Sequence, residues 1–523
     1  MFNSAKIMFK PYNSNETLLF PPCIGDFIPQ DSPVRLISDI VERLNLKSII
    51  ETYSPSSDGQ PPYNPLMLLK VVIYGYMCNV FSTRGLEDVM SRDLHMLWLS
   101  SCQFPDHSTI SRFKTRCMPY IKDIFGQLVR ILVEKGEIQL SRELYIDGTT
   151  IRSKASRYRI RWRRNAEKYL ALAEAELAEA LEDLLRQAEE AKVIDADYLA
   201  KVERTPEDAK NIAVEIETRI ADKGRDKTTR SIRSKIRKIK EADRKKKTHR
   251  EILEDCKGRC GISPTDPDCG ILHAKEDGYE GKVTPNYNLQ IATQNQYVTN
   301  YDTFSSTDQP TAMDFIETCI KENREKPEAV VEDAGYGCEE VYLGMEKLGI
   351  EAVVKYKNYD RECSRERRPL KEGEFDKAGF KLTRDGKGLV CPQGNPMRVT
   401  RVEPKYSKRG FRSDITHFTC DRCEGCPFTA KCPVCINKNR EIERKLGNLR
   451  EERKAKERLD KPINQQRLRR RNLEPEAVFG QLKHNHGYTR FRHFTKPKVD
   501  MDLGFELMAL NVLKLHKNMV KMG

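Results

Sequence analysis

The stretch PEAVVEDAGYGCEEVYLGMEKLGIEAVVKY, residues 327–356, decides the fold class. It opens with a short apolar run that predicts a buried strand, and the glycine-containing turn AGYG follows. Apolar residues then recur at helical spacing, and a second apolar run ends the stretch. A strand, a helix and another strand in this order are typical of an α/β protein.

Neighbouring segments extend this unit in both directions along the chain. RELYIDGTTIRSKAS predicts a strand from Leu144 to Ile151, and NYNLQIATQ with QYVTNYDTF predicts a hairpin. DQPTAMDFIETCIKEN predicts a helix with Asp308 as its cap. We therefore predict an α/β core with a mixed sheet flanked by helices.

Two carboxylates stand in the predicted strands. Asp147 lies near the centre of the first strand, and Asp333 ends the run AVVED. A carboxylate in an apolar strand costs desolvation energy unless a cation or hydrogen bonds compensate it. Mg²⁺ takes few protein carboxylates and leaves room for phosphate oxygens, and two such ions can serve both sides of a phosphodiester exchange. These positions predict a Mg²⁺ (or Mn²⁺) site.

The stretch RRRNLEPEAVFGQLKHNHGYTRFRH, residues 469–493, supplies a third acidic candidate. Pro475 suits the first turn of a helix that we expect to end near residue 486. At about 100° per residue, Glu476, Gly480 and Lys483 share one face of this helix. Glu476 is therefore the predicted third metal ligand, and Lys483 the predicted phosphate contact.

The remaining charges of this stretch receive separate predictions. Glu474 falls off the face of Glu476, so it is expected to cap the helix or to pair with Arg470 or Arg471. Arg490 and Arg492 are expected to hold DNA phosphates together with Lys483.

Composition favours a polyanionic partner. The 523 residues include 92 Lys or Arg against 78 Asp or Glu, a net charge of +14. Such an excess favours nucleic acid. The sequence has no run of about 18 apolar residues that would predict a membrane span, and its N-terminal segment lacks the pattern of a secretory signal. We expect a cytoplasmic, nucleoid-associated protein.

Two segments outside the core predict further DNA contacts. Residues 30–137 read as helical, and DHSTISRFK can open a recognition helix with Arg112 and Lys114 toward DNA, or form an ordinary capped helix. Residues 159–255 predict a helical hairpin or coiled coil that ends in a dense basic run. That run is either a solvated helix face or an arm that contacts the DNA backbone.

Residues 357–465 are charged and rich in cysteine. HFTCDRCEGCPFTAKCPVC repeats the CxxC spacing that is typical of thiolate metal sites, and CPQGNPM lies upstream of it. Structural zinc needs four ligands, whereas six cysteines are available. An iron–sulfur cluster and reduced, unliganded thiols are the alternatives.

In these residues the chain resembles the DDE transposases of bacterial insertion sequences, in the superfamily of retroviral integrase and RNase H. The resemblance rests on blocks in a fixed order: the N-terminal helical region, YIDGTTIRSKAS, TDPD, YNLQIA, EDAGYGCEE, CPQGN and EPEAVFGQLKHNHGYTRFR. It implies an RNase H-like sheet and a site of two Mg²⁺ or Mn²⁺ ions held by Asp147, Asp333 and Glu476. The implied reaction is strand cleavage at transposon ends followed by transfer of the 3′-hydroxyl into target DNA.

The resemblance also implies partners and a zinc set. The partners are double-stranded DNA, as terminal inverted repeats and target, and further copies of the chain in a homodimer or higher assembly. The zinc set matching related transposases is Cys391, Cys423, Cys426 and Cys432, with Cys420 and Cys435 as alternates.

One signature of the subgroup is only half matched. It is written YxxRxxxExxxxxxK, and Glu476 and Lys483 match it, whereas Arg469 and Asn472 stand at the Tyr and Arg positions. Neighbouring Arg470 or Arg471 can replace that arginine. The departure bears on how the DNA end is held more than on the metal chemistry.

We predict four parts: an N-terminal helical DNA-binding domain (1–137), a catalytic core (138–158, 280–356 and 466–523), a helical basic insertion (159–255) and a Cys-rich insertion (357–465). Two alternative functions remain open: a catalytically silent, transposase-derived DNA-binding protein or repressor, and an RNase H-fold nuclease that cuts without joining.

Overall fold

The computed structural model describes residues 23–53, 61–222, 224, 226–274, 281–367, 375, 379–436 and 441–522. The segment tested for a secretory signal lies outside these residues, so that expectation stays a prediction. The chain divides into two compact units, one formed by residues up to Leu128 together with those from Phe505 onward, and the other by Val129–Gly504. Residues 505–523 thus cluster with the N-terminal residues, whereas the predicted core includes all of 466–523. The predicted division into four parts stays a prediction.

The first unit is helical, as expected. Its N-terminal helices are α1 (Pro33–Glu42), α2 (Lys47–Ile50), α3 (Pro65–Met77), α4 (Thr83–Met90), α5 (Leu94–Leu99), α6 (His107–Cys117) and α7 (Ile121–Glu134), the last of which runs into the second unit. Helix α6 begins where the sequence predicts a cap, because the Asp106 carboxylate accepts a hydrogen bond from the Thr109 backbone at 2.7 Å.

The second unit contains the remaining elements, and the final helix α19 passes from it into the first unit. In chain order they begin with β1 (Glu143–Arg152), β2 (Arg161–Trp162), α8 (Arg163–Glu190), α9 (Ala196–Lys201), α10 (Ala209–Arg219), α11 (Lys227–Cys256), β3 (Gly261–Ile262), β4 (Gly270–His273), β5 (Val283–Gln294), β6 (Tyr297–Phe304), α12 (Asp308–Asn323), β7 (Ala329–Glu332), α13 (Glu339–Leu348) and β8 (Glu351–Val354). They continue with α14 (Tyr359–Arg367), β9 (Lys381–Leu382), β10 (Leu389–Val390), β11 (Arg398–Tyr406), β12 (Arg412–Thr419), α15 (Pro433–Ile436), β13 (Ile442–Arg444), α16 (Leu446–Leu459), α17 (Pro462–Arg471), α18 (Pro475–Gly480) and α19 (Lys496–Met522).

A mixed six-stranded sheet organises the second unit. Strands β5, β1, β7 and β8 lie side by side in that order, and β4 and β6 both pair with β5. The pairs β1–β7 and β7–β8 are parallel, whereas β5 is antiparallel to β1 and to β6. The predicted mixed α/β sheet and the predicted hairpin are therefore confirmed.

Apolar side chains from strands and helices form one core around this sheet. Leu144 of β1 and Val330 of β7 belong to the same buried cluster as Phe315 of α12 and Met345 of α13. Leu468 of α17 joins that cluster as well, so the helix before the acidic segment is anchored on the core. Burial of such side chains is the main stabilising term for the sheet.

One predicted cap is wrong. Helix α12 is preceded by Thr307 at the cap position, and Asp308 is its first residue. The Asp308 carboxylate instead accepts a hydrogen bond from the Asn288 side chain at 2.9 Å. A side chain of β5 thus donates to the Asp308 carboxylate, which was expected to accept from the backbone of α12.

The long insertion is helical. Helices α8 and α11 share an apolar cluster that contains Leu177, Leu181, Ile232 and Ile236. Whether this packing is a coiled coil stays a prediction. Of the helices within the described ranges, none combines the length and apolar character needed to cross a membrane.

Candidate active site

Two of the three predicted carboxylates lie side by side on neighbouring strands. In the parallel pair β1–β7, Tyr145 is opposite Val331, and Asp147 and Asp333 each follow two residues later. Residues two apart along a strand point to the same face, so the register brings both carboxylates to one side of the sheet. The sequence predicted each strand but could not give this register.

Arg471, the last residue of α17, bridges this pair. Its Nη2 lies 3.0 Å from Oδ2 of Asp147 and 3.7 Å from Oδ2 of Asp333. One turn earlier, Arg467 lies 3.0 Å from the Glu351 carboxylate at the start of β8. Arg467 therefore fixes the face of α17 that turns Arg471 toward the two aspartates.

Electrostatics at Asp147 are dominated by burial. Loss of solvent raises the pKa of the Asp147 carboxyl to about 6, the Arg471 guanidinium opposes that rise, and the neighbouring Asp333 carboxylate adds to it. One guanidinium faces two carboxylates here, which leaves an excess of one negative charge. A carboxylate pair short of positive charge favours binding of a further cation.

A second acidic group, which the sequence analysis missed, lies close to this pair. Glu332 is fully buried, and neither carboxylate oxygen has a hydrogen-bond partner among the described residues. Burial, with a further contribution from Asp333, raises the pKa of Glu332 well above its usual value. The Tyr336 hydroxyl is also buried without a partner in the described part of the chain. The adjacent acidic pair in VVED was the available sequence signal.

Gly148 follows Asp147 on β1 and lies close to the Asp308 carboxylate and the Tyr336 hydroxyl. A Cβ at Gly148 would collide with the Asp308 carboxylate and lie 3.0 Å from the Tyr336 hydroxyl. The residue after Asp147 must therefore lack a side chain, because α12 approaches the strand closely at this point.

The two glutamates of the C-terminal stretch lie in different environments. Glu476 is exposed on α18, whereas Val478 and Leu482 are buried, as the predicted helical face requires. Glu474 is buried at the cap position but makes no side-chain capping bond. Its carboxylate accepts a hydrogen bond from the Gln296 backbone at 2.6 Å, in the β5–β6 turn. Glu474 therefore stands at the predicted cap position, but the predicted side-chain capping bond is wrong. The alternative, an ion pair with Arg470 or Arg471, stays a prediction.

The residues predicted to contact phosphates in this region bind or lie near other groups of the protein. Lys483 donates to the Thr150 carbonyl at 2.9 Å, and Arg490 donates to the carbonyls of Ser153 and Lys154 at 3.1 and 2.7 Å. Two further arginines lie near acidic side chains, Arg470 at 3.4 Å from Glu143 and Arg492 at 3.9 Å from Asp502. Lys483, Arg490 and Arg470 thus contact β1 or the residues directly after it, whereas Arg492 lies near α19. Contact of these four residues with DNA stays a prediction.

In the N-terminal unit the two predicted DNA contacts differ. Arg112 is exposed on α6, as a DNA contact requires. Lys114 is 3% exposed, donates to the Tyr76 hydroxyl at 2.5 Å and lies over the Tyr76 ring. Its assignment to DNA is corrected, because a phosphate cannot reach an ammonium group enclosed by the helical core.

The six cysteines of the Cys-rich insertion come together. Cys391, Cys420, Cys423, Cys426, Cys432 and Cys435 all line one cavity of about 20 Å³. Burial and contacts with Cys435 and Cys420 raise the pKa of Cys423 to about 12. Across the described ranges, no group of three or more His, Cys, Asp or Glu side chains is arranged to hold a metal ion. Within the described residues, neither the six cysteines nor Asp147, Asp333 and Glu476 form such a group.

Comparisons with known families match two parts of the chain. A family model described as a transposase DDE domain matches residues 390–516, which include Glu476, Lys483 and the six cysteines. A second, described as a transposase domain (DUF772), matches residues 22–116, which include Arg112. Asp147 and Asp333 lie outside both matches. No curated protein and no solved structure matches the chain.

Proposed function

We propose that this chain, a DDE-type transposase of an insertion element, cleaves DNA strands at the ends of the element. It then joins the freed 3′-hydroxyl to target DNA. The observation that carries the proposal is the pairing of Asp147 and Asp333 on neighbouring parallel strands, with the segment of Glu476 in the matched family region. The mixed sheet with flanking helices is consistent with an RNase H-like core.

The carboxylate oxygens fit a hard divalent cation. Asp147 and Asp333 already share one cation, Arg471, so the two carboxylates carry one negative charge more than this guanidinium balances. Mg²⁺ or Mn²⁺ would be held by these two residues, with Glu476 as the proposed third ligand. Bound ions would supply Lewis-acid polarisation of phosphodiester oxygens.

The chain's own residues hold and orient the substrate. Lys483, Arg490 and Arg470 surround the strand of Asp147 and are proposed to contact backbone phosphates once DNA displaces their present protein partners. Fixing the strand beside the carboxylates lowers the entropic part of the barrier. Bringing two element ends together requires at least two such sites, which favours a homodimer or a higher assembly.

The experiment is a cleavage assay with the full chain. The substrate is labelled duplex DNA that includes the sequences flanking the gene on both sides, with Mg²⁺, with Mn²⁺ and with EDTA. We expect metal-dependent cuts at two defined positions. Uniform degradation, or cleavage that persists in EDTA, would argue against the proposal.

DNA binding by the helical insertion is a further proposal. Helix α11 carries twelve lysines or arginines against five acidic residues. Lys235, Lys245 and Lys246 pair with acidic residues of the same insertion. Arg230, Arg237 and Arg244 recur every seven residues, are exposed, and have no ion-pair partner within the described part of the chain, although Glu241 lies among them. This row suits backbone phosphates of double-stranded DNA.

The predicted effect of this row is a change in salt dependence. Replacing Arg230, Arg237 and Arg244 together by Gln should lower the slope of log affinity against log salt concentration by about 2 to 3, since each phosphate contact contributes about 0.9. Fluorescence anisotropy with a fixed duplex measures the slope. The charge-matched control replaces Lys321, Lys347 and Lys387, which are exposed elsewhere. Equal slopes for both triple variants would contradict a role for α11.

Zinc binding by the cysteine cluster is proposed from its shared cavity. Protein purified without added metal should contain about one equivalent of zinc by elemental analysis, because four thiolates complete a structural site. Cys423→Ser should lose that zinc, whereas Cys102→Ser, at an exposed position outside the cluster, should keep it. Iron with visible absorbance would indicate an iron–sulfur cluster instead. Less than half an equivalent of either metal would indicate unliganded thiols.

A further inference from the structure

Arg471 lies where a cation at the carboxylate pair would lie. The Arg471 side chain is 12% exposed, and one terminal nitrogen reaches both Asp147 and Asp333. Its Nε is buried and has no acceptor in the described part of the chain. A buried guanidinium donor without an acceptor is costly, so the attraction of the two carboxylates is what holds this position.

The helix before Arg471 is fixed independently of that contact. Arg467 lies 3.0 Å from Glu351 and also pairs with Glu328, and Leu468 is in the core cluster. The helix backbone therefore stays in place while the last side chain changes partner. Arg471 is the last residue of α17, and its long side chain has several staggered rotamers available.

A guanidinium and a divalent ion cannot use the same oxygens at once. Oδ2 of Asp147 and Oδ2 of Asp333 are the atoms that Arg471 approaches. The Arg471 Nη2 atom lies 3.0 and 3.7 Å from these two oxygens. A metal ion bound to the same oxygens would therefore repel the guanidinium. Binding of one therefore weakens binding of the other, by the same factor in each direction.

We propose that Arg471 is the resident counter-cation of the Asp147–Asp333 pair, and that a divalent ion binds there by displacing it. The inference rests on the proposed function, because it takes these aspartates as the metal site. Glu476 follows Arg471 by five residues on the next helix. The segment that carries the counter-cation thus also carries the proposed third ligand, and the displacement links the two.

The first test is Mn²⁺ binding to the full chain without DNA, measured by isothermal titration calorimetry. Arg471→Gln should bind Mn²⁺ about tenfold more tightly than the wild type, because a competing unit charge is removed. Arg471→Lys keeps that charge and should stay within about threefold of the wild type. The matched control is Arg469→Gln, which removes an exposed positive charge from the same helix and should bind Mn²⁺ as the wild type does.

Asp147→Asn separates this inference from the proposed function. If Mn²⁺ binding depends on Asp147 but is equal in the wild type and Arg471→Gln, or weaker in the latter, the competition is overturned and the metal site stands. If Asp147→Asn binds Mn²⁺ as the wild type does, the metal site itself is wrong, and the inference falls with it.

A second measurement uses the unmodified sequence, so it does not depend on any variant that fails to fold. Arginine-specific modification by phenylglyoxal, read by mass spectrometry, should be slow at Arg471 without metal and at least about threefold faster with saturating Mn²⁺. Arg467, buried and paired with Glu351, should stay protected in both states. Protection of Arg471 that is unchanged or increased by Mn²⁺ would overturn the proposal.

Discussion

Replacing Asp147 or Asp333 by asparagine is expected to reduce metal-dependent DNA cleavage by about a thousandfold or more while leaving DNA affinity within about threefold. The two carboxylates lie on adjacent parallel strands and share one cation, so neither can be lost without removing half of the cation site. Asparagine keeps the side-chain volume and removes the charge. Cleavage rates under single-turnover conditions and anisotropy on the same duplex measure the two effects.

The matched control for these variants is Asp360→Asn. Asp360 is an exposed aspartate of the same unit, and it pairs with Lys355 at 2.8 Å. Its replacement should leave cleavage unchanged within about twofold, since an exposed ion pair contributes little. Cleavage at the wild-type rate by both Asp147→Asn and Asp333→Asn would remove these residues from the reaction.

Glu476→Gln is expected to reduce the cleavage rate by about a hundredfold or more, whereas Glu474→Gln should keep that rate within about fivefold of the wild type. The two residues differ by two positions and carry the same side chain, so they form a matched pair. Glu476 is exposed on α18, while the buried Glu474 carboxylate accepts the Gln296 amide hydrogen. A glutamine at position 474 can still accept that hydrogen bond, so the β5–β6 turn should hold.

The second pair of variants also gives a stability reading. Glu474→Gln should lower the free energy of unfolding by about 1 kcal/mol, because a charge-assisted hydrogen bond becomes a neutral one. Glu476→Gln should change that free energy by less than about 0.5 kcal/mol, as is usual for exposed positions. Thermal and urea unfolding check both values. If Glu474→Gln lost cleavage and Glu476→Gln kept it, the roles of the two glutamates would be reversed.

Local patterns in the sequence were sufficient to predict five of the six strands of the main sheet, but not β4 (Gly270–His273). Alternating apolar residues around Asp147, the hairpin signal between β5 and β6, and the strand–helix–strand order after Ala329 depend on neighbours along the chain. Each of these elements is present. Burial of Val478 and Leu482 also followed from helical periodicity alone.

Contacts between distant segments could not be predicted in this way. The pairing of Arg471 with Asp147 joins residues more than 300 positions apart, and it depends on strand register and on how α17 is anchored. Asp308 faces β5 instead of capping α12, since the Asn288 side chain competes for its oxygen. The burial of Lys114 escaped prediction because the amphipathic pattern of a short helix does not show which neighbours will cover it.

The central claim is that this chain joins DNA as well as cutting it. The measurement that tests it most directly is a strand-transfer assay, with the full chain, Mg²⁺, and a duplex from the element's end already cut to expose its 3′-hydroxyl. We expect this end to become covalently joined to an unrelated target duplex. We also expect no joined product with Asp147→Asn. Cleavage of uncut ends without any joined product would identify a nuclease, and DNA binding with neither product would identify a silent DNA-binding protein; either result would contradict the account.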